Sequence, residues 1–214
     1  PKSKLGGHVE PLTHASLLLA QGRSLDIVSQ AETIEPFASL RDDLTRLTSG
    51  LYLAEMVDRF TEVGLAHDQD ERVFVLLLGA LRALDAGEHA AMVCRFLEMR
   101  LLDAFGYRPQ LQGCVVCSEP LVPSAQYFGA SAGGAICPSC ARSEGGPVRP
   151  LSLTALKVLR LLQTKAFGEA ARLHMAADVA REVEAHLRDS IHHALDRDVR
   201  SSAFLDHLRV STAR

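Results

Sequence analysis

Tryptophan is absent from the 214 residues, and aromatic residues amount to only 5%. Surfaces for stacking nucleic-acid bases are therefore few, and most of the three tyrosines and eight phenylalanines are expected in the core. No long apolar run occurs. The longest, residues 73–81, is interrupted at Gly79 and spans about half of the ~20 residues a membrane helix needs. Neither sign of charge dominates: the formal net charge is −3 and the sequence pI about 6.3, so no general basic field draws the chain to polyanions and any such site must be local. Walker loops, nucleophile elbows and GxGxxG turns are missing, and Glu88-His89 lacks the second histidine of a metalloprotease helix. The expectation is a non-enzymatic protein with no small-molecule substrate. No signal peptide is expected; Pro1 is not an initiator Met, and the authentic N-terminus is expected upstream of it.

Hydrophobic residues make up 47% of the chain and charged residues 23%, enough for a sizeable core. Two short β-type runs, residues 15–20 (ASLLLA) and 25–28 (LDIV), flank a gap containing Gly22 and predict a hairpin. A hairpin cannot bury a core alone, so it is expected to belong to a larger β domain. From Ser39, a plausible N-cap, the apolar period becomes helical through Leu40, Leu44, Leu47, Leu51, Met56 and Phe60 toward Gly64. Further helices are predicted over 71–86 with Gly87 as the stop, 90–105 ending at Gly106, from Ser152 as cap onward, and over 179–195, with a short terminal helix from Ser201. Between them, residues 106–150 hold most of the Pro and Gly and one β-like piece at Gln126, Tyr127 and Phe128. This reads as a small knob held by something other than apolar area.

That something is sulfur. Cys114 and Cys117 form one CxxC pair, and Cys137 and Cys140 form another after a 19-residue gap. A CxxC turn places two thiolates on one side of a loop, and two such knuckles complete a tetrahedral S₄ site, for which zinc is the preferred ion over iron. Four thiolates leave no open position, so the ion would be structural. Redox use of a single pair is the alternative, although neither pair sits in the βαβ setting a thioredoxin-type site requires. The cysteine usage fits a reducing, intracellular compartment. Cys94, among apolar residues of a predicted helix, is assigned to the core, and the adjacent His192 and His193 to the solvated surface.

Charge is uneven. Residues 51–90 carry eight acids against three arginines, whereas between 141 and 175 Arg142, Arg149, Lys157, Arg160, Lys165 and Arg172 face only Glu144 and Glu169. With Lys2, Lys4 and Arg23 beside the hairpin, these cations are the candidate DNA-phosphate contacts, which need positive side chains along a groove but no sequence signature. Ordinary solvated surface charge is the alternative for any one of them.

An ordered set of landmarks runs along nearly the whole chain: residues 1–5 (PKSKL), 10–12 (EPL), 25–32 (LDIVSQAE), 52–55 (YLAE), 105–111 (FGYRPQL), the two CxxC pairs around Gly133-Gly134, 150–152 (PLS) and 202–205 (SAFL). In this order and spacing the chain resembles the bacterial recombination mediator family RecO, in the form found in Deinococcus. The resemblance implies an α+β protein: the remainder of an N-terminal OB-fold β-barrel over 1–38, then a mainly helical domain over 39–214 carrying a Cys₄ zinc module at 112–142. It also implies binding of single- and double-stranded DNA, annealing of complementary strands, and partnership with RecR in loading the recombinase. Contact with single-strand-binding protein and a cytoplasmic, nucleoid-associated location follow from it too. The alternative is a zinc-stabilised adaptor that binds proteins and not DNA.

Overall fold

The structure, a computed structural model, describes residues 6–61, 67–143 and 145–195, without the side chains of 67–70. Lys2, Lys4, Gly64 and the helix predicted from Ser201 lie outside the described residues.

The hairpin is present. Strands β1 (His14–Ala20) and β2 (Ile27–Glu35) pair antiparallel, with register shifts after His14 and Leu18. Residue 25 does not start the second strand as expected but lies in the turn, and the strand continues to Glu35. Leu17, Leu18 and Leu19 are all exposed, as is Ile27. Because alternate strand residues point to opposite faces, both faces of the ribbon carry apolar side chains into solvent. No barrel closes among the described residues; they show a two-stranded ribbon.

The ribbon is fastened at its root. Glu35 accepts two hydrogen bonds from Arg82 at 2.8 and 2.6 Å and contacts His14 Nδ1 at 2.9 Å. Arg41 donates to Glu10, the Pro11 carbonyl and Thr13. Leu12 reaches into the bundle at Gly50, where an added Cβ would meet its side chain at 2.9 Å.

The first long helix corrects the sequence reading. A single turn, α1 (Ala38–Arg41), follows Phe37, whose φ of 47° is left-handed, and α2 (Leu44–Thr61) starts anew. Ser39 is thus inside α1 and caps nothing. Asp43 takes that role for α2 by accepting the Arg46 N–H at 2.9 Å, and Asp85 of the next helix accepts the Leu40 N–H at 2.8 Å.

Helices α3 (His67–Asp85) and α4 (Ala90–Ala104) end as their glycines predict. Gly87 N donates to Leu84 O and Glu88 N to Ala83 O; Gly106 N donates to Asp103 O and Tyr107 N to Leu102 O. Both are Schellman closures with glycine at positive φ. Helix α6 (Leu153–Thr164) has Ser152 as its cap, accepting the Ala155 N–H, while a short α7 (Phe167–Ala170) was not anticipated. Helix α8 (Ala177–Leu195) closes the described chain.

Helix α4 is the central rod, burying Val93, Cys94, Leu97, Met99, Leu101 and Leu102 against α2, α3, α6 and α8. Cys94 is in the core, as expected. Charge is buried there too. Arg95 bonds Glu98 on its own helix and Glu184 of α8 at 3.1 Å; the Tyr52 hydroxyl of α2 donates to Glu98 at 2.8 Å, and Arg188 also holds Glu184. Burial raises the Glu98 carboxyl despite Arg95, and raises the Tyr52 phenol further with help from Glu98. Burial opposes charge on Arg95, but Glu98 and Glu184 outweigh it and hold the guanidinium ionised.

Between α4 and α6 the chain forms a three-stranded antiparallel sheet, ordered β4 (Gly134–Ile136), β3 (Gln126–Gly129), β5 (Arg149–Leu151). Phe128, Ala135 and Leu151 belong to the main hydrophobic core, so the root of the knob is held by apolar packing after all. His186 of α8 packs on Phe128 at 4.9 Å between centroids.

Candidate metal centre

Two close approaches bring the knuckles together. Gln110 bridges Gly134 through Gln110 N–H to Gly133 O at 2.9 Å and Ala135 N–H to Gln110 O at 2.8 Å. The approach requires glycine: a Cβ on Gly134 would lie 2.2 Å from the Gln110 oxygen. One step on, Val115 N–H donates to Ala135 O at 3.0 Å, which sets Cys114 against the end of β4. The first knuckle turns by Ser118 N–H to Cys114 O, with Ser118 left-handed at φ 63°. In the second, Cys137 precedes the single turn α5 (Pro138–Ala141), with Pro138 at its first position, and Cys140 lies on that turn.

The four sulfurs lie within 4.8 Å of one another, and Cys117 and Cys137 are 3.9 Å apart. Disulfides need about 2.05 Å. A tetrahedral site with Zn–S distances of about 2.3 Å has S···S edges of about 3.8 Å, which the Cys117–Cys137 separation matches while the whole set stays within 4.8 Å. The Cys137 N–H donates to Cys114 Sγ at 3.3 Å. Cys114 is buried, Cys117 exposed, and Cys137 and Cys140 half-buried.

The thiols interact strongly. The Ser139 hydroxyl, 3.0 Å from Cys137 Sγ, and then the Cys140 backbone N–H lower the Cys137 thiol to about 6. Cys140 is pushed up to about 12, first by Cys137 and then by burial. At Cys114, burial works against ionisation, but the N–H groups of Cys117, Cys137 and Val116 outweigh it. The Glu119 N–H favours a thiolate at Cys117, yet Cys114 and burial leave it raised. One anion in this cluster thus suppresses its neighbours, and a divalent cation is what allows all four to ionise together. The residues fit one metal ion.

Among the predicted cations the structure separates three groups. Arg160 is built into the fold: its guanidinium donates twice to the Leu111 carbonyl, at 2.9 and 2.6 Å, while neighbouring Gln163 holds the Pro109 carbonyl at 2.7 Å. Arg149 pairs with Asp189 at 2.5 Å and Lys165 with Glu169 at 3.2 Å. Arg23, Arg142, Lys157 and Arg172 are exposed, with no side-chain partner among the described residues. His192 and His193 are exposed, as expected. Sequence reasoning missed the Arg95–Glu98–Glu184 cluster and the buried His186, because a charged residue inside an amphipathic stripe looks like a boundary residue until the helix packs on all sides.

A mixed α/β protein with a helical bundle and a four-cysteine knob is the class these features define. A protein-family model described as "Recombination protein O C terminal" matches residues 41–203. The chain belongs to the RecO family. It is 42% identical over 207 residues to a protein of Roseiflexus sp. (strain RS-1) named DNA repair protein RecO, covering 97% of this chain and 72% of that one. Similar proteins of the same name occur in Dehalococcoides mccartyi (strain CBDB1), 31% identical over 98% of this chain and 81% of the relative, and in Pelotomaculum thermopropionicum, 35% identical over 96% and 78%. No helix among the described residues is long and apolar enough to cross a membrane.

Proposed function

We propose that the chain is a non-enzymatic DNA-repair mediator that binds single- and double-stranded DNA, anneals complementary strands and acts with RecR in loading the recombinase. The observation that carries this is the alignment of relatives named for DNA repair along 97% of the chain. The exposed cations Arg23, Arg142, Lys157 and Arg172, without side-chain partners among the described residues, supply a physical means. Two strands repel; a protein whose cations lie on separate surfaces neutralises both while pairing forms, and no nucleophile is required. The ion assigned to Cys114, Cys117, Cys137 and Cys140 is one structural zinc. Single-strand-binding protein is the further partner in this reading.

The test is annealing of labelled complementary oligonucleotides, with affinity measured over a salt series. Log K should fall against log salt with a slope of about 0.7–0.9 per neutralised phosphate. Charge reversal at Lys157 and Arg172 should lower affinity and shrink the slope. Arg160 is unsuited to the purpose because its loss would disturb the fold. A salt-insensitive affinity counts against this reading, and absence of DNA binding supports the adaptor reading instead, which one observation favours: an open apolar groove of Val75, Leu76, Val93, Phe96 and Phe167 between α3, α4 and α7.

A further inference from the structure

A second cleft, of about 160 Å³, lies where the root of the knob meets the bundle, between the loop after α4 and the last turns of α8. Tyr107 and Arg108 form one wall and Ser190 and His193 the other, with the backbone of Gly133 at its edge. Tyr107 is fixed from behind. It is the residue whose N–H closes the Schellman motif on Leu102 O at 2.7 Å, yet the residue remains 42% exposed. In a chain without tryptophan, this is a rigidly mounted aromatic face open to solvent.

The polar groups around it are nearly uncommitted. Among the described residues Arg108 bonds only Asp103, at 3.4 Å to each carboxylate oxygen, against the 2.7–2.9 Å of a firm charge-assisted bond. Asp103 is the acid that an incoming phosphate must displace. His193 makes no hydrogen bond among the described residues, while Ser190 spends its hydroxyl proton on the His186 carbonyl at 2.9 Å. At Gly133 a Cβ would meet nothing within 4 Å, so the edge is open for a ligand to enter.

We propose that this cleft is a single-nucleotide subsite for single-stranded nucleic acid, in which a base stacks on Tyr107 while Arg108 and His193 hold its flanking phosphates. An aromatic face beside a cation, here Arg108, is the general device for holding an unpaired strand, and it is sequence-tolerant because every base offers a π-face. A duplex cannot use it, since its bases are already stacked. This inference rests on the DNA-binding reading above and adds to it a place where single and double strands are told apart.

The test uses the full, metal-loaded chain and a fluorescein-labelled oligothymidylate, with a duplex of equal length alongside. Tyr107→Ala should weaken single-strand binding by about fivefold or more, the factor one stacked base supplies, and leave duplex binding unchanged. Tyr107→Phe should bind like wild type because the ring does the stacking, and the unchanged duplex binding of Tyr107→Ala excludes a folding effect. Arg108→Ala should weaken the single strand too. Unlabelled oligothymidylate should also quench tyrosine emission of the wild type, with that quenching reduced in Tyr107→Phe. Equal single-strand affinity of wild type and Tyr107→Ala overturns the subsite while leaving the DNA-binding reading intact. Loss in Arg108→Ala alone overturns it as well, since the cleft would then hold an anion without a base. Failure of the wild type to bind either probe overturns both.

Discussion

Replacing Arg95 by methionine removes the guanidinium buried at the centre of the bundle. Glu98 is 1% exposed and its Oε1 takes bonds from Arg95 and Tyr52. Without the guanidinium, Glu98 must stay ionised and uncompensated or take up a proton in an apolar site, and either outcome costs about 3–5 kcal/mol. With a urea m-value of about 2 kcal/mol/M, the midpoint should fall by about 2 M. Glu98→Leu alone should cost less, because Glu184 still pairs with Arg95 at 3.1 Å.

The double variant decides the reasoning. Arg95→Met with Glu98→Leu leaves a single orphan, the Tyr52 hydroxyl, worth about 1–3 kcal/mol, while Glu184 keeps Arg188. The pair should therefore be more stable than Arg95→Met alone, with a strongly non-additive cycle. Urea unfolding followed by far-UV circular dichroism measures all four corners. If the double variant loses as much as the two singles added together, the buried charges are not compensating one another and the account fails.

Two further outcomes test the periphery. Arg82 and then His14 hold the Glu35 carboxyl at about 2, below its ordinary 4.5, with slight burial opposing. A depressed carboxylate stabilises the fold fully above about pH 4.5 and loses that contribution as pH falls toward 2; wild type should lose urea resistance in that window more steeply than Glu35→Gln, and parallel curves would refute the latch. Chelation should remove one zinc per chain, measured by elemental analysis, and expose the amides of 112–122 and 137–143 to hydrogen exchange. The helical circular dichroism should persist, since the core contains none of the knuckle tips; collapse of the helices with the metal would contradict this.

The helices were legible where local chemistry and packing agree. Gly87 and Gly106 stop α3 and α4 because only glycine takes the left-handed turn cheaply, and Ser152 caps α6 because its hydroxyl has a free N–H in reach. At Ser39 the same rule misled. Phe37 is forced left-handed, Asp85 arrives from α3 to satisfy Leu40, and Asp43 restarts the helix two residues beyond the break. The arrival of Asp85 is a tertiary fact with no local trace, whereas Asp43, three residues before Arg46, is a local cap that the apolar period through Leu40 and Leu44 overrode. The knob was half legible: CxxC spacing announced the sulfur cluster, but Phe128, Ala135 and Leu151 became core only through pairing of β3 with two strands that are too short to show a period.

Cations illustrate the same limit from the side of function. Arg160 and Lys157 sit three residues apart on one helix and look interchangeable as sequence, yet one is spent on the Leu111 carbonyl and the other is exposed, with no side-chain partner among the described residues. The difference comes from the loop that crosses α6, which a one-dimensional count of charge cannot see. A polyanion site is made from the cations a fold leaves over, so the useful quantity is unpaired charge, and by that measure the patch between 141 and 175 contracts from six residues to Arg142, Lys157 and Arg172. If the proposed DNA-binding reading holds, charge reversal at these three should remove nearly all of the salt-dependent affinity of that segment, whereas reversal of Arg149, already bound to Asp189, should change stability more than binding.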